Sequence, residues 1–379
     1  MNDDVRDVSH RHPWNQRVTI FTIILGGMFF TQVMASCYSR TIISTLEVRY
    51  GTTAEFAGNI SMCYSAGAIL CYIMLFFTDK FFKQNRPRYL AIFHYIATLG
   101  SFILPWVHFL SGTYDHTKSL NRESSTQEKK NSQIQYVCTN VSIETVCAAE
   151  TTDSTFDVIT SDYYLTYAFY IAEFLMGFGV SVIWPLGYTF IDDYAMPGKS
   201  TFYYSVISAI LMFGWGTSFT LSSKFADTWL YWPDRAPTGL DPENTNEWVG
   251  AWWMGYVVFT VLNILAGLPM LTFPAEIPAQ YELSPTAKAR KEQEALEREA
   301  SENYVDEKSR IERFNNLPLD KKIMRILGNK CTLCVISSEI LDGYAGQFGF
   351  FLPKYMERMW EMKLSAATMI SAYRAPIFG

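Results

Sequence analysis

Trp248-Val249-Gly250-Ala251-Trp252-Trp253-Met254-Gly255 opens an apolar run that continues to Phe273, and this stretch decides the fold. Tryptophan gathers where a helix meets lipid headgroups, so the cluster reads as the end of a membrane span. An interfacial aromatic belt would not, however, specify this order of small and large residues. The order therefore asks for an explanation beyond interface statistics.

Outward from that run the same pattern repeats. A chain of 379 residues with near-neutral mean hydropathy suggests two or three soluble domains by length alone. The average hides runs of about 20 apolar residues, enough to cross a ~30 Å hydrocarbon core, with the charges concentrated between them. Spans are expected at 18–39, 57–77, 89–110, 163–190, 202–223, 248–273 and 332–352, with an eighth beginning near Leu364. The chain reads as an all-α polytopic membrane protein.

Orientation follows from basic residues in short loops. Arg6, Arg11 and Arg17 precede the first span, and Lys80, Lys83, Arg86 and Arg88 crowd the second connection. Both segments are expected in the cytoplasm. Residues 1–17 mix Asp, Arg and His without a small-residue cleavage site, so the first span is expected to stay as an anchor. Alternation then puts 111–162 outside. That loop carries the sequon Asn140-Val141-Ser142, a glycosylation acceptor, and Cys138 with Cys147, a pair that could oxidise there. The triplet at Asn59 lies inside an apolar run and is not expected to be modified. The net charge of −6 says little about a ligand, because local groups set the field in a cavity.

Hydropathy breaks at Pro274. Residues 274–330 interleave Lys, Arg, Glu and Asp, with a solvated helix expected over 287–302. Six spans (18–273), a charged cytoplasmic linker and a second set beginning at 331 form the layout of the major facilitator superfamily. Such carriers have two six-helix halves with the substrate site between them. A complete N-terminal half plus the first one to two helices of the C-terminal half is expected. The stop at Gly379 within the eighth span reads as a truncation.

The opening stretch resembles the signature of the organic anion transporting polypeptides, although the lead Asn246-Glu247 departs from the family's. Glu47-Val48-Arg49-Tyr50, Arg86-Pro87-Arg88, the segment from Pro185 to Tyr194, and Phe351-Leu352-Pro353-Lys354-Tyr355 resemble further family segments. The last four spans and the Cys-rich, Kazal-like domain of that family have no counterpart here. The resemblance implies sodium-independent, alternating-access transport of amphipathic organic anions across the plasma membrane, with bicarbonate or another anion exchanged. It implies no covalent chemistry and no cofactor. The partners expected are the anion and the lipid bilayer, and no nucleic acid. Two other classes stand against it: a non-transporting half-carrier fragment and a seven-span receptor. The cytoplasmic N-terminus and the lack of Asp-Arg-Tyr after span three and of Asn-Pro-x-x-Tyr in span seven argue against the receptor.

Transport of anions needs cationic groups facing a cavity, and ionisable residues at membrane depth are costly. Arg40, His108 and Lys354 are the substrate-binding candidates, Arg40 and Lys354 because relatives carry basic residues there. Snorkelling is the alternative for Arg40. The resemblance links His108 to pH-sensitive uptake, within the reach of an imidazole; an interfacial histidine with one hydrogen bond is the alternative. Asp79, Arg86 and Arg88 look like a degenerate facilitator loop motif, with Asp192 and Asp193 at the same face to supply opposite charge. Glu173, Glu339 and Asp342 are buried-charge candidates, expected to pack against partners that the sequence does not identify. Met176 stands where many relatives place an Arg. Gly198-Lys199-Ser200 is not a phosphate loop, because its required first Gly falls at Asp193. Cys331-x-x-Cys334 has no second pair for zinc, and no metal site is expected.

Overall fold

The computed structural model describes residues 17–50, 54–82, 85–111, 156–195, 198–237, 248–277, 293, 296 and 318–378. Ten α-helices are present among them: α1 (Val18–Thr41), α2 (Ile43–Tyr50), α3 (Ala54–Phe82), α4 (Arg86–Leu110), α5 (Phe156–Tyr194), α6 (Ser200–Asp227), α7 (Trp252–Gly267), α8 (Leu319–Leu327), α9 (Lys330–Met359) and α10 (Leu364–Phe378). A 3-10 turn, Pro269–Thr272, extends α7. The described residues hold no strand beyond one isolated bridge, Trp229 with Gly250. The expected solvated helix at 287–302 falls almost wholly outside them.

Six helices are long and apolar enough to cross a membrane: α1, α3, α4, α5, α6, and α7 with its 3-10 turn. In hydrocarbon a backbone satisfies its own polar groups, which is why continuous helices form here despite β-branched and aromatic content. Pro87 sits in the first turn of α4, where a missing N–H costs little. The seventh expected span is α9. Its 30 residues are long enough, at about 45 Å, to cross. Glu339, Asp342 and Gln347 nevertheless keep it out of the apolar set, and its place rests on packing instead.

The helices form an all-α bundle in which α5 packs on α3 and α4, α1 on α6, and α7 on α4 and α1. Where α3 crosses α5, Gly67 faces the Phe174 backbone and Gly177 faces the Tyr64 backbone so closely that a Cβ on either would collide. Small residues thus set this crossing, since lipid offers no hydrophobic drive to bring helices together. Between α1, α4 and α7 a buried amide network replaces apolar packing. Gln32 Nε2 donates to the His94 carbonyl at 3.2 Å and lies 3.2 Å from His94 Nδ1. His94 Nε2 is 2.8 Å from the Asn263 carbonyl, so the proton is assigned to Nε2.

Two apolar clusters mark the ends of the bundle. One gathers Phe21, Phe190, Ile207 and Met270, and the other Tyr38, Leu104, Trp252 and Phe259. We call them the Arg86 end and the Glu47 end after the charged residues beside them. Both α9 and α10 attach to this bundle, α10 along α6 and α9 against α1.

Candidate functional site

At the Glu47 end the tryptophan signature explains its own order. The residues 248–251 are not helical, in contrast to a span beginning at Trp248, because they are held by the end of α6. Trp248 Nε1 donates to the Ala226 carbonyl at 2.7 Å, and the Ala251 N–H to the Phe225 and Thr228 carbonyls at 3.0 and 2.9 Å. Gly250 lies where a Cβ would come within 2.7 Å of Ala226 Cα. Trp253 Nε1 donates to the Leu230 carbonyl at 2.9 Å. One turn into α7, Gly255 leaves room for the Tyr38 ring, whose hydroxyl donates to the Trp252 carbonyl at 2.8 Å. The indoles therefore clamp α6 to α7 and the small residues admit α6 and α1.

His108 is built into the same clamp. Its ring stacks on Trp253, with Trp252 and Tyr231 at 6.1 and 5.8 Å between centroids. Nδ1 is buried with no hydrogen-bond partner among the described residues. Arg49 reaches the end of α4 from α2, its Nη2 donating to Ser111 Oγ at 3.3 Å.

Arg40 lies in the last turn of α1, its guanidinium carbon 5.8 Å from the centre of the Tyr64 ring. Glu173 is 4% exposed in the middle of α5, hydrogen-bonds with Ser39 and faces the charge of Arg40. Tyr256 donates to Ser39 Oγ at 2.9 Å, which joins α7 to the group. The partner of Glu173 left open by the sequence is thus on α1. Glu339, by contrast, is exposed rather than buried, and Asp342's side chain lies outside the described residues. Met176 is fully buried against Gly100.

Lys354 does not stand free to meet a ligand. Near the end of α9 it donates to Glu47 on α2, 307 residues away. Arg358 adds a second contact to Glu47 at 3.7 Å. Just beyond, Lys363 pairs with Asp227 at 3.1 Å and Ser223 donates to the Ser365 carbonyl at 2.8 Å. Burial raises the Glu357 carboxyl above its ordinary range, against the Ser44 hydroxyl and the charges of Arg358 and Lys354. This polar seam ties the α9–α10 hairpin across the Glu47 end of α1, α2 and α6.

At the opposite end Arg86 donates to Asp193 at 2.5 Å, joining the start of α4 to the end of α5. The pairing expected of either aspartate is made by Asp193, although both are exposed, while Asp192 interacts with Tyr204 and Arg88 is exposed. Asp79 lies in α3 but its side chain, like Asn140, Cys138 and Cys147, lies outside the described residues. Sequence reasoning passed over Glu47, Arg358, Asp227 and Lys363 as site residues. Only Glu47 carried a signal, through its resemblance segment.

The sequence profile of the Organic Anion Transporter Polypeptide (OATP) family matches residues 20–378. Similar proteins include solute carrier organic anion transporter family member 2B1 of Rattus norvegicus, 24% identical over 94% of this chain and 53% of its own length. The Homo sapiens member 2B1 is 24% identical over 93% and 52%, and Homo sapiens member 1B1 25% over 67% and 36%. The chain spans about half the length of the curated relatives it matches. With a matching profile along nearly its whole length and an all-helical bundle of six apolar spans, this chain belongs to the organic anion transporter polypeptide family.

Proposed function

We propose that the chain forms the N-terminal half, and the opening helices of the second half, of an alternating-access carrier for amphipathic organic anions. The observation that carries this reading is the seam at Glu47. A carboxylate on the first half holds two cations, Lys354 and Arg358, on the second. An interface of that kind can separate and reform, and ligands that favour one state shift the balance by their differential affinity. The Glu47 end is the outer face in this reading and the Arg86 end the cytoplasmic one, in the plasma membrane. The structure is then closed to the outside. Arg40 and His108 supply cationic or protonatable groups for the anion, Lys354 is held in the seam by Glu47 while it is closed, and transport is independent of sodium with bicarbonate or another anion in exchange.

The test is uptake of a fluorescent amphipathic anion into proteoliposomes containing the polypeptide that carries this sequence. Saturable uptake that persists when potassium replaces sodium, and rises when bicarbonate is loaded inside, is expected. Uptake no greater than in protein-free vesicles overturns the reading in favour of a non-transporting half-carrier.

A further inference from the structure

The short helix α8 is not used by the transport reading, yet its pattern is the most polarised of the bundle. Ile323, Ile326 and Leu327 are three and four residues apart and so share one face. They are 42%, 47% and 44% exposed, and Met324 beside them is 75% exposed. Lys321 and Arg325, four apart, share the opposite face and are exposed. Lys322 and Lys330 add two further cations within the eleven residues 320–330, against the single acid Asp320. Among the described residues α8 packs against α9, from which only Gly328 and Asn329 separate it.

The end of the bundle at which α8 sits follows from the ion pairs. Lys354, near the end of α9, meets Glu47 just past the end of α1. The beginning of α9 therefore lies at the opposite, Arg86 end, where Arg17 and Arg86 also stand. A basic helix with an exposed apolar face, placed where the next helix enters the bilayer, has the composition of an interfacial segment. Lysine and arginine reach outward from such a face while their stems cover apolar surface.

We propose that α8 lies in the headgroup layer of a bilayer, with Ile323, Ile326 and Leu327 in the acyl boundary and Lys321, Arg325 and Lys330 on anionic lipid headgroups. The charge pattern selects the occupant, because a protein groove would accept the apolar face without asking for flanking cations of one sign. Assignment to the cytoplasmic leaflet, the one rich in anionic lipid, rests on the orientation proposed above. The headgroup contact itself needs neither transport nor that orientation.

The experiment uses the full chain in lipid nanodiscs, with a bimane fluorophore on Ile323→Cys and the other accessible cysteines, including Cys331 and Cys334, replaced by Ser. Quenching by a headgroup nitroxide lipid is read in neutral phosphatidylcholine discs and in discs containing phosphatidylserine. The proposal expects headgroup quenching at least about threefold stronger in the anionic discs, from the attraction of several cations to the surface. Lys321→Glu with Arg325→Glu then returns it to the neutral-disc level. Equal headgroup quenching in both discs overturns the anionic-lipid contact. Quenching only by aqueous iodide places α8 in water, and quenching by neither agent places it under protein; both overturn the proposal. None of these readings depends on anion uptake, so failure here and failure of the transport reading are separable.

Discussion

Trp253 stacks on His108 with ring centroids 5.1 Å apart and planes 11° from parallel, so the signature of α7 lies flat against the last turn of α4. The indole is fixed from behind by its hydrogen bond to Leu230. Trp253→Ala removes the stack and that hydrogen bond together. A loss of about 3 kcal/mol in stability is expected from deleting a large packed aromatic, read as a lower melting temperature of the purified protein. Trp253→Phe, which keeps a ring for His108, should recover much of it.

In the carrier proposed above, His108 is a protonatable group for the anion at the Glu47 end. That role predicts uptake that rises as external pH falls. In His108→Gln the profile should flatten while uptake at the alkaline end persists. A variant with an unaltered pH response would remove His108 from that role.

Gly255 and Gly27 make a paired test of why the signature needs small residues. A Cβ at Gly255 would run into the Tyr38 ring, whereas one at Gly27 meets nothing within 4 Å. Gly255→Ala should cost about 1–3 kcal/mol as an overpacked contact, and Gly27→Ala should be close to neutral. Comparing the folded yield of the two by size-exclusion chromatography decides the matter.

Glu47 ties α2 to α9 through Lys354 and Arg358, with only 10% of its side chain exposed. Glu47→Gln should open the outer face, worth about 1 kcal/mol of the closed state, or roughly fivefold in the closed-to-open ratio. Faster alkylation of a cysteine introduced at Thr45 would report it. The exchanged pair Glu47→Lys with Lys354→Glu should restore part of the closure, and the absence of any rescue would mean the pair does not hold the seam.

Glu357 gives that seam a pH dependence with a definite sign. Burial raises its carboxyl in the closed seam, opposed in part by Ser44, Arg358 and Lys354. A raised carboxyl binds its proton more tightly in that state, so closure is favoured at acid pH. The advantage fades as pH climbs from the ordinary carboxylate range through the raised value. Alkylation at residue 45 should therefore quicken with rising pH, and Glu357→Gln should remove that trend.

At the other end, Arg86 and Asp193 form a pair in which Asp193 is half exposed. Such a pair contributes up to about 1 kcal/mol and weakens with salt. Asp193→Asn should change the access equilibrium modestly and make it less salt-sensitive. Asp192→Asn, which removes a neighbour of Tyr204 and leaves the Arg86 pair intact, should leave it near the wild-type value.

That the chain is a helical membrane bundle, and which family it belongs to, could be read from the order of its residues alone. In hydrocarbon a single segment can satisfy its own backbone only as a helix, so apolar runs of the right length report spans almost directly. The order of Trp and Gly in 248–255 was legible for a related reason. Gly250 and Gly255 are each set by a close neighbour, Ala226 and Tyr38, that a Cβ would crowd. The pairing of charges, by contrast, emerged only once the helices had packed. Glu173 meets Ser39 and faces the charge of Arg40, Lys354 meets Glu47 rather than open space, and Asp193 rather than Asp192 takes Arg86. Charge pairing depends on which side chains arrive within a few ångströms after helices hundreds of residues apart have packed, and no periodicity along the chain records that distance. The same packing kept the head of the signature out of α7, because the end of α6 supplied better hydrogen-bond partners than another helical turn.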